Sequence, residues 1–309
     1  MEFICIGEPL VEFTADPATP GRFDRRAGGD MLNTAVYLAR LCGPGTVGYL
    51  SRLGDDAMSG FLRATLAEEG IADLCATQPG GRPGLSFITS DAEGERSFTY
   101  WRDQSPARHL FAVPEERAAL DGAGTLVLSG VTLAMLLPEG REALLQALER
   151  CRARGARIVL DTNYRPALWP DAEVAQTVIG QAAGLATLVL PSLDDMAACF
   201  GVADPLAAVH HLMELTEAEI VLTTGGDAVL HRAAGGEGID RWPLPPRRAA
   251  VDTTGAGDSF NAGWLAVRRA GAAPADAIAR AAALAAQVVL YPGAILPRRA
   301  MPSPQEISA

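Results

Sequence analysis

Short apolar runs rich in β-branched residues alternate along this chain with longer amphipathic stretches, and that alternation limits the fold more than any single residue does. The runs fall at residues 2–7, 46–50, 125–129, 157–161, 187–190 and 219–224. The stretches between them, at 31–41, 57–69, 141–154, 173–184 and 205–215, read as helices. Strands apolar on both faces and separated by helices imply a mostly parallel sheet covered on both sides, an α/β class of fold. Sheets of that kind bind ligands beyond the carboxyl ends of their strands. Several runs here end in polar groups: Ser129-Gly130, Asp161-Thr162-Asn163 and Thr223-Thr224-Gly225-Gly226. No repeat, low-complexity tract or linker divides the 309 residues, so a single domain over 1–309 is expected. The Pro/Arg-rich stretch 241–248 is too short for a boundary, and the tail after Arg298 is expected to fray.

One stretch breaks the rhythm. Residues 84–91 and 96–102 form extended runs joined by Asp91-Ala92-Glu93-Gly94-Glu95, a β-hairpin signature. Residues 7–13 and the stretch after Gly21 supply candidate partner strands. Together they predict a small β-sheet lid, formed mainly by about 8–27 and 84–102. Such a flap presents an exposed face and free edges, from which we expect a homo-oligomer formed through the lid.

Composition then removes several chemistries. All 26 basic residues are arginine. Without lysine there is no phosphate-loop NTPase, no protein-kinase strand lysine and no Schiff-base enzyme in its usual form. The net charge of -11 argues against nucleic-acid or membrane-surface partners, so an anionic substrate needs a local basic site. The five cysteines are scattered without C-x-x-C spacing, which reads as reduced thiols and a cytoplasmic setting. Neither a signal peptide nor an apolar run of membrane-spanning length is expected.

The segment Asp252-Thr253-Thr254-Gly255-Ala256-Gly257-Asp258-Ser259-Phe260 carries the strongest local signal. Gly255 and Gly257 permit positive φ and close backbone approach to a ligand at the head of a helix over 259–270. Successive amides at a helix start converge on an anion. Asp258, in the first turn, is either a helix cap or a general base aimed at a hydroxyl. A negative residue inside an anion nest suits phosphoryl transfer, which needs positioning, charge neutralisation and a base. Upstream, Ala27-Gly28-Gly29-Asp30-Met31-Leu32-Asn33 precedes another helix. Asp30 and Asn33 lie three apart, on one helical face, and both can hydrogen-bond polyol hydroxyls; alternatively they are a cap and a surface polar residue.

With both segments quoted, the chain from about Phe3 to Pro297 resembles the phosphofructokinase-B-type (ribokinase-like) carbohydrate kinases. Gly28-Gly29 through Asn33 is similar to the first signature of that family, and Asp252 through Asp258 to the second. The resemblance implies a Rossmann-like sheet sandwiched by helices, with a small β-sheet lid. It implies ATP and Mg²⁺ as cofactors, an anion hole at Gly255, Ala256 and Gly257, and Asp258 as catalytic base. It leaves open a monovalent cation such as K⁺. For the nucleotide it implies Ser192, Thr224, Gly225, Gly226, Gly255 and Gly257, and for the sugar Gly29, Asp30, Asn33, Asn163 and Asp258. The family's Asn-x-x-Glu metal motif is replaced by Ser192 and Asp195, so metal ligands stay unassigned.

Within the family, Gly7-Glu8-Pro9-Leu10-Val11-Glu12-Phe13, Tyr100-Trp101-Arg102 and the stretch 161–169 are similar to 2-keto-3-deoxygluconate kinases. The resemblance places Tyr100, Arg102 and Arg165 against a keto-acid substrate. The guanidinium fork suits a carboxylate, which a neutral sugar lacks. Where some of these kinases carry a lid Tyr, this chain has Ser86 and Phe87. The expected reaction is ATP-dependent phosphorylation of the terminal hydroxyl of 2-keto-3-deoxygluconate to the 6-phosphate. The alternative is a fructokinase or another ribokinase-like sugar kinase. A dinucleotide oxidoreductase would need G-x-G-x-x-G after the first strand, where Gly7-Glu8-Pro9-Leu10 stands instead. A non-catalytic sugar sensor would not need Asp258.

Overall fold

The computed structural model describes residues 1–16, 18–19, 21–90, 96–246 and 249–302. The expected hairpin turn at 91–95, part of the Pro/Arg-rich loop and most of the C-terminal tail lie outside the described residues.

Alternation of side chains along the strands builds the centre of the molecule. In Phe3–Ile6, Phe3 and Cys5 face one core while Ile4 and Ile6 face the other. Val127 and Val159 repeat the first choice, and Leu126, Leu128, Ile158 and Leu160 the second. Each strand is therefore buried on both sides, which a parallel sheet between helical layers requires. The nine strands run in the order Asp240–Pro243, Ala228–Arg232, Glu219–Thr223, Leu188–Leu190, Arg157–Asp161, Thr125–Ser129, Phe3–Ile6, Val47–Leu50 and Ala72–Asp73. Pairings from Glu219–Thr223 through Ala72–Asp73 are parallel, and the two involving the outer strands Ala228–Arg232 and Asp240–Pro243 are antiparallel.

The chain starts at Phe3–Ile6, builds outward through Val47–Leu50, and then returns to Thr125–Ser129 on the other side. That reversal is a topological switch point, and it opens a crevice past the ends of those two strands. A second sheet, in the order Phe23–Gly28, Leu10–Ala15, Gly84–Ser90, Arg96–Trp101, brings Tyr100 into the electrostatic neighbourhood of Asp30 and Arg165. Its outer pairs are antiparallel and its central pair is parallel.

The Ala256–Arg269 helix presents the Asp252–Asp258 segment, and its hold on the core is firm. Phe260, Trp264 and Val267 are buried at helical spacing. Trp264 is fully buried, and emptying such a site costs about 3–5 kcal/mol. Gly263 lets the neighbouring Pro274–Val288 helix close in: a Cβ there would sit 2.9 Å from the Cα of Ala281. The strands Ala228–Arg232 and Asp240–Pro243 and the helices Leu193–Phe200 and Pro274–Val288 are additional to the elements expected from the sequence. Ala228–Arg232 ends in buried His231 and Arg232, which disguise it; their partners are the Glu219 carboxylate and the Ala218 carbonyl. No single helix among the described residues is long and apolar enough to cross a membrane.

Candidate active site

Asp258 is the third residue of its helix, and it does not cap it. The N-cap is Gly255, in the left-handed region at φ 77°. A Cβ at Gly255 would lie 2.6 Å from the carbonyl oxygen of Ala294 and 2.7 Å from its Cα, so both the angle and the space demand glycine. The opening amides of the helix have no intrahelical acceptor and present partial positive charge. The Asp258 carboxylate turns instead toward Asn33, whose Nδ2 donates to Oδ2 at 2.8 Å. Burial, and then the charge of Asp30, push this carboxyl up to about 7; the Asn33 hydrogen bond and the Arg165 charge hold it down.

Asp252 shapes the loop that leads there. Its Oδ1 accepts from the amide and hydroxyl of Thr254 at 3.0 and 2.7 Å, and its Oδ2 accepts from the amide of Gly293 at 2.6 Å. The loop is thus pinned to the segment following the Pro274–Val288 helix.

Gly29 opens the Asp30–Cys42 helix at φ 112°, pressed against the backbone of Glu8. Asp30 also spares its own helix: its Oδ2 accepts from Ser129 Oγ at 2.5 Å and from Asn163 Nδ2 at 2.9 Å. The two faces of the switch point are joined by that carboxylate. Asn163 takes a positive φ of 21°, rare for a residue with a side chain, and its amide donates to Asp161 Oδ1 at 3.1 Å. Asp161 in turn accepts from Asn261 Nδ2 at 3.0 Å. Burial, then the charges of Asp195, Asp258 and Asp30, raise its carboxyl well above the ordinary range. Four aspartates therefore share one electrostatic neighbourhood at the strand ends.

The lid contributes Tyr100 and Arg102. The Tyr100 hydroxyl is raised by burial and held down by Arg102 and Arg165, while Glu12 and Asp30 push it up. These charges thus meet around one phenol. Arg102 gives its Nε to Glu8 Oε2 at 2.8 Å, and its Nη2 bonds the same oxygen. Arg165 is 60% exposed along its side chain. It donates to the Tyr164 carbonyl at 3.0 Å, and its guanidinium lies 3.7 Å from Asp195.

The residues expected to hold nucleotide form a second group at neighbouring strand ends. Ser192 bridges to Thr223 and caps the Leu193–Phe200 helix through the Asp195 amide at 3.0 Å. Thr224, Gly225 and Gly226 make the turn between two strands, with Thr224 Oγ1 bonded to Ala228 and both glycines at positive φ. Asp195 accepts from Thr162 Oγ1 and from the Tyr164 amide, each at 3.0 Å, so protein donors take both its oxygens. No group of three or more His, Cys, Asp or Glu among the described residues is placed to hold a metal ion.

Glu8, Ser129 and Asn261 are missing from the expected site. Ser129 sits at a strand end already marked as polar. Asn261 follows the Asp258 segment by a single turn. Glu8 carries no local signal of its own, because a lone glutamate in sequence looks like a solvated one.

Fold and site together define a class: an α/β small-molecule kinase with a small additional sheet. Matched against known families, residues 2–301 fit the pfkB family carbohydrate kinase, and the chain belongs to that family. It is a sugar kinase that uses ATP and transfers a phosphoryl group to an alcohol. It is 39% identical to a 2-dehydro-3-deoxygluconokinase of Escherichia coli, over 96% of this chain and 98% of that protein. A 2-dehydro-3-deoxygluconokinase of Dickeya dadantii is 37% identical over 96% of this chain and 97% of its own. The crystal structure of an ATP-bound fructokinase from Xylella fastidiosa superposes with a TM-score of 0.81 at 27% identity, covering 99% of this chain and 96% of that one.

Proposed function

We propose that this kinase phosphorylates 2-keto-3-deoxygluconate (2-dehydro-3-deoxygluconate) at its terminal hydroxyl, forming the 6-phosphate. The observation that carries the chemical half is Asp258: a carboxyl held near neutrality at the head of a glycine-opened helix, bonded to Asn33 rather than to its own helix. Such a group takes a hydroxyl proton efficiently at cellular pH. The Gly255, Ala256 and Gly257 backbone faces the charge that develops on the transferred phosphoryl group. Asp30, Asn33 and Asn163, with the Gly29 backbone beside them, hold the sugar hydroxyls. Ser192 and the Thr224–Gly225–Gly226 turn line the nucleotide side.

The identity of the substrate rests on similarity to the kinases of that activity and on the arginines. Arg165 is the more accessible guanidinium, and its charge already reaches Asp258. It receives the carboxylate, with Tyr100 alongside. Arg102 contributes the edge that Glu8 leaves free. Magnesium supplies charge neutralisation to the ATP phosphates when bound and is held by them. A monovalent cation such as K⁺ is a further activator to be tested.

The second sheet turns an aromatic face outward, with Phe13 stacked on Phe87 at 5.4 Å and Trp101 tilted against it at 4.7 Å. Trp101 is 65% exposed and Phe23 42%. A second copy of the chain covers that face in our reading; a monomeric mass by light scattering would refute this. The five free cysteines suit a cytoplasmic setting. A coupled ADP-release assay across sugars and sugar acids, with Mg²⁺ and with or without K⁺, tests the whole. Preference for a neutral ketohexose would replace the acid substrate with the fructokinase reading.

A further inference from the structure

We propose that Glu8 is a positioning residue on which the small sheet turns, its buried ion pair with Arg102 acting as the pivot of the lid. The chain enters or leaves the small sheet at residues 7–9, Gly29, 78–83 and 102–105, and Glu8, itself in the first of these, meets Gly29 and Arg102 from two others. A Cβ on Gly29 would stand 2.5 Å from the Glu8 carbonyl oxygen. A Cβ on Gly84 would stand 2.6 Å from Glu8 Oε1 and 3.1 Å from Arg102 Cβ. Gly29 at one crossing and Gly84 at the start of the Gly84–Ser90 strand thus leave their side-chain space to one glutamate, and the residue leaving the last strand of the small sheet is its ion-pair partner.

The pairing geometry is that of a joint. Arg102 Nε and Nη2 converge on the single oxygen Oε2, while Oε1 is buried without a partner. A fork-to-fork pair fixes the two planes against each other. Convergence on one oxygen holds the contact while fixing the carboxylate plane less than two parallel bonds would. The side chains are 1% and 10% exposed, and separating such a pair would strand a buried charge. The contact therefore stays closed while the lid moves around it. Lid movement matters to the transfer because water left over the phosphate hydrolyses ATP.

Two measurements on the full chain test this. One is the ratio of ADP released to sugar phosphorylated. The other is amide hydrogen exchange in Gly84–Ser90 and Arg96–Trp101 without any sugar. Glu8→Gln is expected to raise the ratio several-fold and to speed exchange in both lid strands. Glu8→Asp, which keeps the charge, restores both toward the parent values. If Glu8→Gln does not fold, Arg102→Lys decides, since it keeps the buried charge pair while losing the fork, and it is expected to shift both measurements in the same direction. The pivot is overturned if the folded variants keep the parent ratio and the parent exchange and lose only melting temperature. It is also overturned if Arg102→Lys alters only the preference for acids over neutral sugars. The ratio rests on the sugar-kinase reading of the preceding section, and it can be taken with whichever sugar the panel returns. The exchange measurement needs no substrate, so failure of the substrate assignment leaves it standing.

Discussion

The end of the site that we propose faces the phosphate comes from one unbroken stretch of chain, Asp252 to Asp258, and offers a ligand largely its backbone. The end that we propose faces the sugar gathers Asp30, Asn33, Tyr100, Arg102, Asn163 and Arg165 from several elements, with side chains that lean on one another. At the first end the positive φ and tight contact of Gly255 against Ala294, with the Asp252 carboxylate tied to Thr254 and Gly293, fix the shape. At the second the shape depends on pairs such as Asp30 with Ser129 and Asn163, and Arg102 with Glu8. A backbone site is insensitive to which sugar arrives. A side-chain site can be retuned by a few substitutions. Relatives sharing this fold but carrying different sugar names in their descriptions fit that division.

The largest effect is expected from removing the one side chain that this end is proposed to turn on the substrate, the Asp258 carboxylate. Asp258→Asn is expected to lower kcat by about 10²–10⁴-fold, the range for losing a general base, with KM for ATP little changed in steady-state assays. Near-normal turnover would mean that the backbone alone does the work. On the other side, Arg165→Gln is expected to raise KM for the sugar acid by roughly tenfold to a hundredfold, the value of a charged hydrogen bond. KM for a neutral sugar should hardly move. Equal losses for both substrates would show that Arg165 serves the chemistry rather than the choice of substrate.

The same contrast explains what could be read from the sequence. The Asp252–Asp258 loop was legible because its parts are adjacent and because glycine at a helix start has few purposes. The parallel sheet was legible from the double-sided burial of Thr125–Ser129 and Arg157–Asp161. Glu8 was not legible, because nothing near it in sequence announces that Arg102, far along the chain, will bury it. From its local residues Asp258 was legible only as an alternative between cap and base, and it took the family resemblance to favour the base. Its partner Asn33 stands 225 residues earlier, and only the packing of two helices brings them together. Ala228–Arg232 escaped for a related reason, its polar residues being matched by distant partners.

Gly255→Ala sharpens the backbone side of the comparison. It places a methyl within 2.6 Å of the Ala294 carbonyl oxygen at φ 77°, a strain of order 1–3 kcal/mol. We expect a lower melting temperature by calorimetry together with a fall in kcat, because the loop must shift to admit the methyl. The same change at Gly257, where a Cβ meets nothing within 4 Å, should leave stability nearly unaltered. A comparable loss of stability at both would mean that the Ala294 contact does not govern the loop, since alanine is the better helix former and propensity alone would favour the change at Gly257.

The smallest effect joins the two ends, because the hydrogen bond from Asn33 to Asp258 links the proposed sugar side to the proposed phosphate side. With the Asp258 carboxyl at about 7, kcat/KM should fall with decreasing pH below about 7 as the base takes up a proton. Asn33 donates to the charged form and so holds that value down. Asn33→Leu removes the donor, and the acid limb should move to higher pH. Stability should respond in the opposite sense to activity. The folded carboxyl titrates above its ordinary 3.8, so its contribution to stability is full below about 4 and is lost as pH rises through about 7. Asp258→Asn cannot ionise and escapes that loss, so its melting temperature should gain on the parent from pH 5 to pH 8. If the two melting curves stay parallel across that range while the acid limb of activity remains, the titrating group lies elsewhere, with Asp161 at the neighbouring strand end the next to replace.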